Sequence, residues 1–97
     1  MTAPVKPRTR DDLTVVEIDG EAVVYDEHED RLHHLNPTAT LVFQLFDGSA
    51  TINELSGEIA AASDLPAPQV ERDVRILYGQ FRRGGLLSSE KEAPANA

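Results

Sequence analysis

The chain has 97 residues, with nine Lys plus Arg against seventeen Asp plus Glu and no cysteine. A chain this short buries about 60–65% of the surface its unfolded form exposes, so it holds one core and no separate cofactor domain, and without cysteine it has no disulfides, thiolate metal sites or cysteine nucleophiles. Lys6, Arg8 and Arg10 carry three of the nine positive charges, leaving six basic against seventeen acidic groups in the rest, a net of −11 that repels nucleic acid.

In chain order, residues 1–10 contain Pro4, Pro7 and three cations and no large apolar cluster, which predicts an unfolded N-terminal tail. Leu13 to Ile18 and Glu21 to Tyr25 are rich in Val, Ile and Tyr, and Asp19-Gly20 between them supplies the positive φ of a type I′ turn, so a β-hairpin is expected. After the polar turn Glu27-His28-Glu29-Asp30, Arg31 to Leu35 is short enough for a third strand of a meander.

The period then becomes helical. Asn36 is a good N-cap and Pro37 suits the first helical position, and Leu41, Val42, Leu45 and Phe46 form an apolar stripe that Asp47-Gly48 ends. Thr51-Ile52-Asn53-Glu54 has capping-box spacing and starts a second helix over about Ile52 to Ala62. Pro66 and Pro68 start a third, striped by Val70, Val74, Leu77 and Phe81, with Tyr78 off to one side. Gly84-Gly85 offers a left-handed cap and Leu86-Leu87 its apolar contact. Residues 88–97 lack large apolar side chains and read as a second unfolded tail. The expected fold is therefore α+β and winged-helix-like, a three-stranded antiparallel sheet followed by three helices, over residues 11–87.

Few residues carry chemistry. His33 and His34 are adjacent on a strand, so their side chains leave opposite faces and cannot share a metal ion. Glu27, Glu29 and Asp30 crowd a hydrated turn instead of a shared pocket. The serines have no nucleophile-elbow context and there is no glycine-rich phosphate loop. No catalytic residue, metal or cofactor is expected. No apolar run reaches the roughly 20 residues of a membrane span and residues 1–10 hold no signal-type segment, so no membrane contact and a cytoplasmic location are expected. Arg72, Arg75, Arg82 and Arg83 on the third helix raise a DNA-binding alternative, which the acidic body opposes. A meander also leaves two sheet edges. The Arg31 to Leu35 edge is open to a guest strand, or is protected by Arg31, His33 and His34. Such an edge also pairs with its own copy, so monomer and homodimer both remain.

Val23-Val24-Tyr25-Asp26, His33-His34-Leu35-Asn36-Pro37-Thr38-Ala39, Leu45-Phe46-Asp47-Gly48, Asp73-Val74 to Leu77 and Phe81, and Gly85-Leu86-Leu87, in this order and spacing, resemble the PqqD family. Members of that family are the peptide-binding modules called RiPP recognition elements. The resemblance spans about Leu13 to Leu87 and is most specific at the L-N-P-T-A and L-x-D-G motifs. It implies a non-catalytic chaperone that binds the leader segment of a ribosomally made precursor peptide as an added strand. The chaperone then presents the precursor to a modifying enzyme such as a radical SAM protein, a protease or a cyclase. Carried onto this chain, the guest runs along Arg31, Leu32, His33, His34 and Leu35, and Asp73, Val74, Leu77, Tyr78 and Phe81 of the third helix form the groove wall. Which side of the third strand is buried, and which N–H groups point outward, is open at this level.

Overall fold

Asp19 and Gly20 have φ of 54° and 81°, the consecutive positive values of a type I′ turn. In the computed structural model, which describes residues 5–88, that turn joins β1 (Thr14–Ile18) to β2 (Glu21–Asp26) with Ile18 opposite Glu21. A second turn, with Asp30 at φ 54°, leads to β3 (Arg31–Leu35), and the antiparallel sheet has the order β1-β2-β3. Three helices follow, α1 (Pro37–Leu45), α2 (Ile52–Ser63) and α3 (Ala67–Arg83), giving the expected α+β order βββααα.

Strand alternation sets the inside of the sheet. Ala22, Val24 and Asp26 of β2 are buried, whereas Glu21 and Val23 are exposed. Leu35 opposite Ala22 joins the buried set. Onto this face packs α1, capped as expected by the Asn36 side chain, which accepts the Ala39 N–H at 2.8 Å. The buried face of α1 is Ala39, Thr40, Val42 and Phe43, with Phe46 at its C-cap. The Leu41-Val42-Leu45-Phe46 stripe is therefore corrected: Leu41 is exposed and Leu45 only half-buried. The larger ring of Phe43 replaces them, meeting Phe81 edge-on at 5.8 Å, and Phe46 meets the same ring at 5.9 Å.

Helix α2 begins with the full capping box, the Glu54 amide donating to the Thr51 hydroxyl and the Thr51 amide to the Glu54 carboxylate. Those bonds hold the Glu54 carboxyl below its ordinary pKa. Helix α3 buries Val70, Val74 and Phe81. It ends in a Schellman motif, in which the Leu86 amide donates to the Phe81 carbonyl at 2.9 Å and the Gly85 amide to that of Arg82 at 3.1 Å, with Leu86 buried. Gly85 has φ 75°, and a Cβ at this position would meet no described atom within 4 Å, so the requirement for glycine is purely conformational. Gly85→Ala should cost about 1–2 kcal/mol, read as a lower urea midpoint at unchanged m-value.

The expected unfolded tail over residues 1–10 needs correction at its inner end, while residues 1–4 lie outside the described residues. Pro7 is buried, the Thr9 amide donates to Phe46 and the Arg10 amide to Leu86, and Gly48 donates back to Pro7. The backbone thereby satisfies the carbonyl of the α1 C-cap residue and that of Leu86 just past α3, a gain invisible to a count of apolar side chains. Of the expected C-terminal tail, only Ser88 lies within the described residues, and its amide donates to Arg8.

Candidate functional site

A two-residue hairpin makes its closing pair, Ile18 and Glu21, exchange both backbone hydrogen bonds. Alternation then turns the N–H and C=O of Glu21, Val23 and Tyr25 toward β1 and those of Ala22, Val24 and Asp26 toward β3. Their partners Leu35, His33 and Arg31 therefore use their backbone groups inside the sheet. Leu32 and His34 present theirs along the edge that no described strand pairs. The same register puts the side chains of Arg31, His33 and Leu35 on the helix side and those of Leu32 and His34 on the outer face, where Leu32 is 70% exposed and His34 lies 3.1 Å from Glu21.

On the helix side, the ring of His33 abuts the end of α3. A Cβ on Gly84 would stand 3.3 Å from its Cε1, so glycine permits the approach. Its Nε2 is buried and has no hydrogen-bond partner among the described residues, an uncommon state for a buried polar atom. At about 100° per residue, Asp73, Leu77 and Gln80 fall within about 40° of the Gly84 line, whereas Tyr78 falls about 120° away. Asp73 and Gln80 are exposed and Leu77 is half-buried. Tyr78 is half-buried against Phe46, the rings 6.3 Å apart, and Val74 and Phe81 are in the core. Thus β3 brings Arg31, His33 and Leu35 to the helix side, and Asp73 and Leu77 lie farther up α3 on the line that ends at Gly84. Gln80 and Gly84, absent from the sequence-derived set, occupy the same stripe. The spacing 73, 77, 80, 84 was the signal that could have found them.

A buried ion pair holds the two sides in register. Asp26, 1% exposed, receives Arg10 Nη1 at 2.8 Å and Nη2 at 3.3 Å, and its Oδ1 accepts the His28 and Glu29 amides of the turn that leads into β3. Arg10 Nη1 also donates to the Gly85 carbonyl at 2.8 Å, and Nε and Nη2 donate to Asp12. These bonds lower the Asp26 and Asp12 carboxyls below their ordinary pKa and raise the guanidinium further above its own.

Other features offer less. An open concavity of about 390 Å³ is lined by Leu45, Asp47, Ser49, Ala50, Glu54, Leu55 and Glu58; Asp47 is already bonded to Ser49, and Glu54 serves the capping box. No group of three metal-ligating side chains occurs among the described residues. No helix there is long and apolar enough to cross a membrane. On α3, Arg75 is paired with Glu71 at 2.8 Å.

Residues 21–87 match the model of the family described as Coenzyme PQQ synthesis protein D (PqqD). No curated protein matches the chain. Among solved structures it is similar to "TbiB1 in Complex with the TbiA(beta) Leader Peptide", with 21% identity and a TM-score of 0.74, covering 88% of this chain and 99% of that one. It is also similar to "Lasso peptide synthetase B1 complexed with the leader peptide", with 20% identity and a TM-score of 0.74, covering 86% and 98%. At such identities the likeness carries the fold, whereas the family match spans well over half the sequence: the chain belongs to the PqqD family.

Proposed function

We propose that this protein is a non-catalytic, cytoplasmic carrier that takes the leader segment of a ribosomally made precursor peptide as a fourth strand beside β3 and presents the precursor to a modifying enzyme. The observation that carries this reading is the ladder at Leu32 and His34, which no described strand pairs, on the side of β3 where His33 meets α3 at Gly84. Family membership supports it, as do the two structural neighbours, each of which holds a leader peptide. A guest pairing with Leu32 and His34 makes up to four backbone hydrogen bonds, at roughly 0.5–1.5 kcal/mol net each. Its alternate side chains fall on the helix side of the sheet, toward the line of α3 that carries Leu77, and two apolar anchors buried there add about 1.5–3 kcal/mol apiece. Ordering a flexible peptide costs roughly 2–5 kcal/mol, on top of the rigid-body cost of association, so affinity of the order of micromolar follows.

Titration of the isotope-labelled protein with the leader peptide encoded beside it tests the reading. Amide shifts should concentrate at residues 31–35 and along Asp73, Leu77, Gln80 and Gly84, leaving α2 quiet. Shifts confined to α2, or none at all, would refute it.

A further inference from the structure

Among the described residues, the helices cover one face of the sheet and nothing covers the other. On the bare face the register sets Val16 beside Val23 and His34, and Thr14 beside Tyr25 and Leu32. Val16 is 51% exposed, Ile18 67% and Val23 36%, and with Leu32 they draw an apolar band across all three strands. Scattered aliphatics on a surface are ordinary, but a contiguous band of them marks an interaction site. Both ends of this band are acidic: Asp19 and Glu21 lie at one, Glu27, Glu29 and Asp30 at the other. Among the described residues, the basic side chains nearby are already partnered or turned away: His34 lies 3.1 Å from Glu21, His28 3.3 Å from Asp12, and Arg31 is on the helix side.

That charge pattern selects the occupant. Stacking a second copy face to face lays carboxylates over carboxylates in either orientation, because both ends carry the same sign. A surface whose apolar patch is bordered by Lys and Arg meets no such repulsion. We propose that the outer face of the sheet is the docking surface for the modifying enzyme, through an apolar patch edged with basic residues. This rests on the carrier reading. A leader strand on β3 extends the sheet past Leu32 and His34, and its outward side chains widen the docking face. The enzyme therefore binds the loaded carrier more tightly than the empty one, and by linkage tightens the leader's own binding by the same factor.

The test is calorimetric titration of the enzyme encoded with the precursor into the full chain, with and without saturating leader peptide. Leader should raise enzyme affinity several-fold. Val16→Lys with Ile18→Lys, both on β1 and separated from β3 by β2, should lower enzyme affinity at least tenfold and leave leader affinity within twofold. Val16→Thr with Ile18→Thr, which keeps β-branched residues in the strand, gives a smaller loss in the same direction should the lysines weaken the fold. Asp19→Asn with Glu27→Gln and Glu29→Gln should flatten the salt dependence of enzyme binding. Wild-type enzyme affinity in both the lysine and threonine variants would overturn the proposal, and so would sedimentation showing that the free protein dimerises through this face. Failure of the wild-type chain to bind leader strikes the carrier reading instead, and the two failures are read in separate titrations.

Discussion

Proline at Leu32 and His34 together should weaken leader capture by roughly 5- to 150-fold while the protein stays folded. The pairing register turns these two N–H groups to the open edge, so each proline deletes a donor that the guest would use and none that the sheet uses. Two lost bonds at roughly 0.5–1.5 kcal/mol each give that range, before the pyrrolidine ring crowds the incoming strand. The neighbouring position separates binding from stability. The amide of His33 serves the ladder with Val24, which is fully buried, so His33→Pro strands the Val24 carbonyl and costs about 1–3 kcal/mol of fold stability. Fluorescence anisotropy with a labelled leader peptide measures the first effect and thermal melts the second. Leu32→Thr with His34→Thr, which changes both side chains but keeps both amides, should bind within about threefold of wild type. If that threonine pair loses as much affinity as the proline pair, side chains and not the backbone ladder hold the guest.

Local signals made most of this architecture readable. The Asp19-Gly20 turn, the Asn36-Pro37 start, the Thr51–Glu54 box and the Gly84-Gly85 end each depend on residues within five positions of one another, and all four occur as expected. What depends on distant partners was less legible. Two apolar sets on α1 have helical spacing, and only the ring of Phe81 decides between them in favour of Phe43. Asp26 lies just past the expected strand Glu21 to Tyr25, yet it is a buried strand residue whose carboxylate Arg10, sixteen residues earlier, reaches. Of the three cations that mark residues 1–10 as a solvated tail by composition, Arg10 is the partner of a buried carboxylate. In the candidate site the strand Arg31–Leu35 was legible from its length and its turn, whereas the outward set of amides needed the register. The facing side of α3 needed the approach of His33 to Gly84.

The Arg10–Asp26 pair should give the fold a specific acid sensitivity. All five guanidinium N–H groups are engaged, by Asp12 through Nε and Nη2, by Asp26 through Nη1 and Nη2, and by the Gly85 carbonyl through Nη1. Lysine offers three donors from one point and cannot span the three acceptors, so Arg10→Lys should lower the thermal midpoint almost as far as Arg10→Met, by roughly 5–10 °C. Asp26 titrates below its ordinary value in the folded chain, chiefly through its bonds from Arg10. The unfolded chain therefore binds more protons than the folded one as the pH falls past about 4, and the stability due to this carboxylate, complete above that pH, drains away as the pH falls through the lowered folded value. Asp26→Asn keeps an acceptor for the His28 and Glu29 amides but carries no charge. It should be less stable than wild type at pH 7, and the two melting curves should converge well below pH 4. A constant gap between them across that range would mean that Asp26 acts by shape alone. Because Arg10 also grips Gly85, beside the point where His33 meets α3, the same variants should loosen the space offered to the leader. Leader affinity, measured at a temperature where each variant is folded, should fall along with the midpoint.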